Sequence, residues 1–94
     1  MNNQEETLLR LYIIEKSPTT PDTVKKLRSI LDSIKGKYQL EVIDILKSPD
    51  MIISDNILAS PTLIRVKPLP PKRIVGSIPF NSLISEFDLC LSER

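Results

Sequence analysis

The run from Thr7 to Ile14, Thr-Leu-Leu-Arg-Leu-Tyr-Ile-Ile, places Leu9, Leu11 and Ile13 on one side of an extended chain and Leu8, Tyr12 and Ile14 on the other. A strand that is apolar on both sides has to be covered on both sides, which predicts a sheet interior flanked by two helical layers. The next residues supply the first cover. After turn signals at Ser17, Pro18 and Thr19, Thr20 is expected to cap a helix whose first position is Pro21. Val24, Leu27, Ile30, Leu31 and Ile34 then recur at helical spacing until Gly36. Tyr38 to Leu46 is a second β-rich run, and a strand, a crossover helix and a strand in that order predict a right-handed parallel pair.

The second half reads differently. Lys47-Ser48-Pro49-Asp50 leads into Met51 to Leu58, expected to form one or two helical turns with Ile52, Ile53, Ile57 and Leu58 against a core. Pro61 precedes the β-branched run Thr62 to Val66, and Pro68, Pro70 and Pro71 lie between it and Lys72 to Val75, which Gly76 ends. These features predict a hairpin with a proline-rich loop. Phe80, Leu83, Ile84, Phe87 and Leu91 fall at i, i+3, i+4, i+7 and i+11, which predicts an amphipathic helix from Phe80 to Leu91 opened by Pro79. The order βαβ-α-ββα defines an α/β, thioredoxin-like domain with a mixed four-stranded sheet and helices on both faces. In that arrangement the residue before the third strand is commonly a cis-proline, so Pro61 is expected to be cis. The 94 residues suit one domain, residues 1–94, with Met1 to Glu6 as a polar tail.

Composition limits the chemistry. Thirteen Lys and Arg against twelve Asp and Glu leave a net charge of +1, which argues against nucleic acid as the partner. No apolar run approaches the roughly 20 residues that span a bilayer, and the polar start lacks the pattern of a secretory signal, so a cytoplasmic location without membrane association is expected. There is no His and one Cys, Cys90, so neither a Cys/His metal set nor a Cys-His pair can be assembled, and no cofactor is expected. A thiol oxidoreductase on this fold needs Cys-x-x-Cys at the start of the first helix, where the helix dipole lowers a thiol's pKa. Ser17-Pro18-Thr19-Thr20 stands there instead. Glutathione transfer by the Ser17 or Thr20 hydroxyl is the residual enzymatic alternative, with turn and cap roles as the plainer reading. Cys90, among apolar neighbours at helical spacing, is expected to be a small buried side chain.

The chain resembles the KaiB family of bacterial clock-associated proteins along nearly its whole length. The resemblance is carried by Leu11-Tyr12, Ser17-Pro18, Tyr38, Val42-Ile43-Asp44, Leu46-Lys47 and Pro49. Its most specific part is Ile57-Leu58-Ala59-Ser60-Pro61-Thr62-Leu63, followed by a proline cluster and Lys72-Arg73-Ile74-Val75-Gly76. The resemblance implies a non-enzymatic regulatory binding protein acting on KaiC, a hexameric ATPase and autokinase. It also implies self-association and a fold switch, since clock members rest as tetramers with a different C-terminal half and bind KaiC in the thioredoxin-like form. Family members outside clocks are linked to stress adaptation, which implies an alternative role as an interaction module with another partner.

The family's partner contact uses basic side chains, which places partner binding at Arg10, Arg65, Lys72 and Arg73. Where clock members carry further basic residues, this chain has Asp22, Glu41 and Asn56, which weakens the expected docking to KaiC. Glu86 also replaces a Gly of the family's Gly-x-Asp-Leu. A helix-interior Gly costs roughly 0.5–1 kcal/mol, so the replacement is expected to favour the final helix and a thioredoxin-like resting form.

Overall fold

The structure, a computed structural model, describes residues 6–91; of the expected tail, Met1 to Glu6, residues 1–5 lie outside the described residues, and Glu6 is not tail but the first residue of a strand paired with Lys37. Its order is β1 (Glu6–Ile13), α1 (Thr20–Leu31), β2 (Lys37–Asp44), a 3₁₀ turn (Ile45–Lys47), α2 (Pro49–Ser54), β3 (Thr62–Lys67), β4 (Lys72–Val75), a second 3₁₀ turn (Phe80–Ser82) and α3 (Leu83–Glu86). The sheet order is β2-β1-β3-β4, with β1 and β2 parallel and the other two pairings antiparallel.

β1 lies inside the sheet because its side chains are mostly apolar on both faces, with Arg10 the exception on the second. Leu9, Leu11 and Ile13 pack with Leu27 and Leu31 of α1, Leu63 of β3, and Leu83 and Phe87 at the C-terminal end. Tyr12, on the opposite face, packs with Ile43, Ile57 and Ile64 and with the partly buried Met51 and Ile52 of α2. α1 and α3 therefore share one face, and α2 covers the other. Lys26 of α1 sits 5.6 Å over the Phe80 ring, joining the two helical elements of the larger face.

Several local expectations are corrected. The α1 N-cap is Thr19, and Thr20 donates its hydroxyl to the Ile14 carbonyl at 2.7 Å instead of capping. The helix ends at Leu31, ahead of Gly36, and Ile34 enters a bridge with Leu91. Ile53 and Leu58 are exposed, since so short a helix presents one narrow stripe, which Met51 and Ile52 occupy, and past its end Ile57 turns inward while Leu58 turns out. Ser60–Pro61, by contrast, is cis as expected, and Lys67–Pro68 and Leu69–Pro70 are cis as well.

The largest departure is at the C-terminal end. Helical structure runs from Phe80 to Glu86, not to Leu91. Asp88 adopts φ +53, a left-handed conformation that ends a helix. The tertiary bridge explains the stop: the Lys35 amide donates to the Cys90 carbonyl at 2.7 Å, and Leu91 pairs with Ile34, so this stretch is recruited by the loop after α1. Cys90 is exposed rather than buried. Glu86 is the last residue of α3 and exposed, so its replacement of Gly acts at a helix end rather than in an interior.

Leu63 is fully buried where β3 meets the α1 face. Leu63→Ala is expected to destabilise the domain by about 3 kcal/mol through lost transfer energy and the cavity left behind, as measured by urea unfolding.

Candidate functional site

Alternation along β1 sends Arg10 and Tyr12 to the face covered by α2. The parallel register sets Arg10 beside Glu41 of β2, and the Arg10 Nε lies 2.7 Å from the Glu41 carboxylate. The same guanidinium donates through Nη1 to Asp55, just past the end of α2, at 3.0 Å. Tyr12, fully buried, donates its hydroxyl to the same Asp55 carboxylate. Arg73 of β4 closes the group from the other edge, donating to the backbone carbonyls of Asp55 at 2.6 Å and Asn56 at 3.2 Å. Asn56 takes φ +56, a conformation its short polar side chain tolerates better than most. β1 thus contributes two side chains, and β2 and β4 one each, to a polar cluster that ties down the end of α2.

The cluster is nearly neutral, with two guanidinium groups facing two carboxylates. The bond to Glu41, opposed by burial and helped by Asp55, holds Arg10 above its ordinary pKa. Burial works against Asp55 ionisation, but the Tyr12 and Arg10 hydrogen bonds and the Arg10 and Arg73 charges outweigh it, so Asp55 titrates below the usual carboxylate range. Burial, followed by the bond to Asp55 and its charge, pushes Tyr12 up to about 12.

The four residues expected to bind a partner do not form one surface. Arg10 and Arg73 share the α2 face. Arg65 and its cross-strand neighbour Lys72 lie on the opposite face, because Arg65 is in register with Leu9 and shares the side of Leu63. Arg65 is also only 3% exposed, so it is an interior residue and not part of a basic hairpin surface. Asp22 and Glu41 are separated in the same way: Asp22 lies on α1 and pairs with Lys26 at 3.3 Å, whereas Glu41 pairs with Arg10. Tyr12 and Asp55 were not recognisable as site residues, since Tyr12 reads as one more apolar strand residue and Asp55 meets it only across 43 positions of sequence.

At the other end of β1 a cleft of about 200 Å³ is lined by Ile13, Ile14, Ser17, Thr19, Thr20, Thr23, Ser60 and Pro61. This is where a thioredoxin carries its reactive dithiol. No sulfur lines it. Ser17 and Thr19 bond each other at 3.2 Å, and Thr20 is engaged by Ile14, so these hydroxyls are tied to their own loop and no titratable base adjoins them in the lining.

These features define a thioredoxin-like domain with bonded hydroxyls where a thioredoxin carries its dithiol. The KaiB domain matches residues 10–87, and the chain belongs to the KaiB family. The "Circadian clock oscillator protein KaiB" of Prochlorococcus marinus (strain NATL2A) is 43% identical over 79 residues, covering 83% of this chain and 74% of the relative. The protein of that name from Synechococcus elongatus (strain ATCC 33912 / PCC 7942 / FACHB-805) is 40% identical over 79 residues, covering 83% and 78%. These relatives are named as clock proteins, not as enzymes. Among solved structures, the N-terminal domain of Synechococcus elongatus SasA superposes with a TM-score of 0.71 at 17% identity, covering 94% of this chain and 82% of that one. Chloroplastic thioredoxin z superposes with 0.69 at 18% identity, covering 86% and 74%. Both likenesses establish the fold.

Asp55→Asn is expected to cost about 2 kcal/mol at neutral pH, because it removes the charged acceptor of two partly buried hydrogen bonds. The Asp55 contribution is present above the unfolded carboxyl value and is lost as pH falls through the lower folded value. The difference between variant and parent in urea unfolding should therefore shrink below about pH 4. Tyr12 contributes in the opposite sense: its stabilisation is full below the ordinary tyrosine value of about 10 and is lost as pH rises through its folded value.

Proposed function

We propose that this chain is a non-enzymatic regulatory binding protein of the KaiB type, acting in the cytoplasm on a KaiC-like hexameric ATPase. The observation that carries the reading is the KaiB match across residues 10–87 on a thioredoxin-like frame whose reactive position holds Ser17 to Thr20 instead of a dithiol. The docking face we assign is the one that bears α2, with Arg10 and Arg73 as its cations. Glu41 and Asp55 compensate those cations internally, so the face presents a modest field and its affinity depends on freeing part of that charge.

Titration of the full chain against a KaiC-type hexameric ATPase should give binding that weakens with salt. Arg73→Ala is expected to weaken it about fivefold, and Glu41→Lys, which releases Arg10 and reverses a charge, to tighten it by a similar factor. Absence of a complex at low salt would sink the reading and favour an interaction role with a different partner. A parallel insulin-reduction assay should show no turnover above background, and Cys90→Ser should leave it unchanged.

A further inference from the structure

The sheet opens where β1 ends, and the chain itself supplies the reason. Tyr12–Thr62 is the last pair between β1 and β3, and the residue before Thr62 is Pro61, which has no N–H to donate to a further rung. Beyond that pair Ile14 and Ser60 part, and the cleft of about 200 Å³ lies between them and the first turn of α1. Its floor is fixed by bonds. The Gly76 amide donates to the Pro61 carbonyl at 2.8 Å, and Thr62 donates its hydroxyl to the Ala59 carbonyl at 2.8 Å.

The cleft carries hydroxyls and no charge. Five of its eight lining residues are Ser or Thr, and none of the eight is ionisable. Asp22, next to the lining in sequence, stays outside it and pairs with Lys26 at 3.3 Å. The hydroxyls fall into two sets. Ser17 and Thr19 share one bond, so one of them keeps a proton to donate, and Thr20 has given its proton to Ile14 and is left as an acceptor. The hydroxyls of Thr23 and Ser60 have no protein partner among the described residues, and the Ser60 amide and carbonyl take no backbone partner there either. Donors and acceptors therefore converge on one small space beside the apolar Ile14 and Pro61.

We propose that this cleft binds a small neutral polyol, a monosaccharide or cyclitol, through the hydroxyls of Thr23 and Ser60 with Thr20 as a further acceptor, its C–H face resting on Ile14 and Pro61. A ligand hydroxyl both donates and accepts, and the lining offers both functions within reach of one ring. A phosphate, carboxylate or amine would leave water and meet no opposite charge. The volume lies below the roughly 300–1,000 Å³ of sites for drug-sized ligands, which excludes nucleotides and glutathione. The site uses neither Arg10 nor Arg73 and is independent of the docking role proposed above.

The test is a titration of the isotope-labelled full chain with myo-inositol, and separately with D-glucose, followed by amide chemical shifts. At least one of the two should give shifts that saturate and centre on the amides of Ile14, Thr20, Thr23 and Ser60. Ser60 is exposed and Thr23 half-buried, so Thr23→Val and Ser60→Ala remove unpartnered hydroxyls without opening a core cavity, and the urea midpoint should stay at the parent value. Each should weaken binding about fivefold. Thr23→Ser, which keeps the hydroxyl, and Ser29→Ala, on the exposed side of α1, should bind within about twofold of the parent. Shifts that rise linearly without saturating for both polyols, saturation centred elsewhere, or unchanged affinity in both Thr23→Val and Ser60→Ala overturns the proposal. Saturable binding of inorganic phosphate or glutathione at these amides, with neither polyol binding, overturns it as well. No ATPase is present in the titration, so failure of this site and failure of the proposed function are separately visible.

Discussion

Everything in this domain follows from the need to cover β1 on both sides. A strand with Leu9, Leu11 and Ile13 on one face and Tyr12 on the other loses most of its stabilisation if either face meets water. β2 and β3 flank it, and helices close the two faces. The cover is unequal: α1 and the C-terminal elements form a broad core on one side, while α2, six residues long, contributes two partly buried side chains to a smaller core on the other.

That inequality explains where the polar clusters sit. A short helix buries too little apolar surface to fix its own position, and the Arg10, Tyr12, Asp55 and Arg73 bonds supply the positional definition that packing does not. Removing one member leaves a partner unsatisfied, so the cluster behaves as a unit. On the other face, Arg65 interrupts an apolar surface and is tolerated because two backbone carbonyls from separate segments converge on it. The two clusters have opposite economies, one saturated and nearly neutral, the other short of an acceptor.

The thioredoxin frame is retained without a dithiol at the start of its first helix. In a redox protein the first helix turns its positive end toward a thiolate; here the same place holds hydroxyls bonded to each other and to the loop. The likeness to SasA and thioredoxin z is a likeness of frame, and the KaiB match is what assigns the family. Function on such a frame resides in surfaces, which depend on which side chains the strand pleat sends to which face.

The sequence by itself determined the order of elements, the parallel and antiparallel halves of the sheet, the two-sided burial of β1 and the family. These follow from periodicity and turn chemistry, which act over a few residues at a time. It did not determine where the last helix ends, because Leu91 continues the apolar stripe while the competing Ile34 bridge comes from 57 residues away. Nor did it decide the meaning of charges. Glu41 reads as a reversed contact residue until the strand register makes it the partner of Arg10. Arg65 and Arg73 read as one basic patch until alternation places them on opposite faces. Tertiary structure decided these points because ion pairs and covered faces depend on neighbours brought together by the fold, and local pattern carries no record of which residue will lie 2.7 Å away.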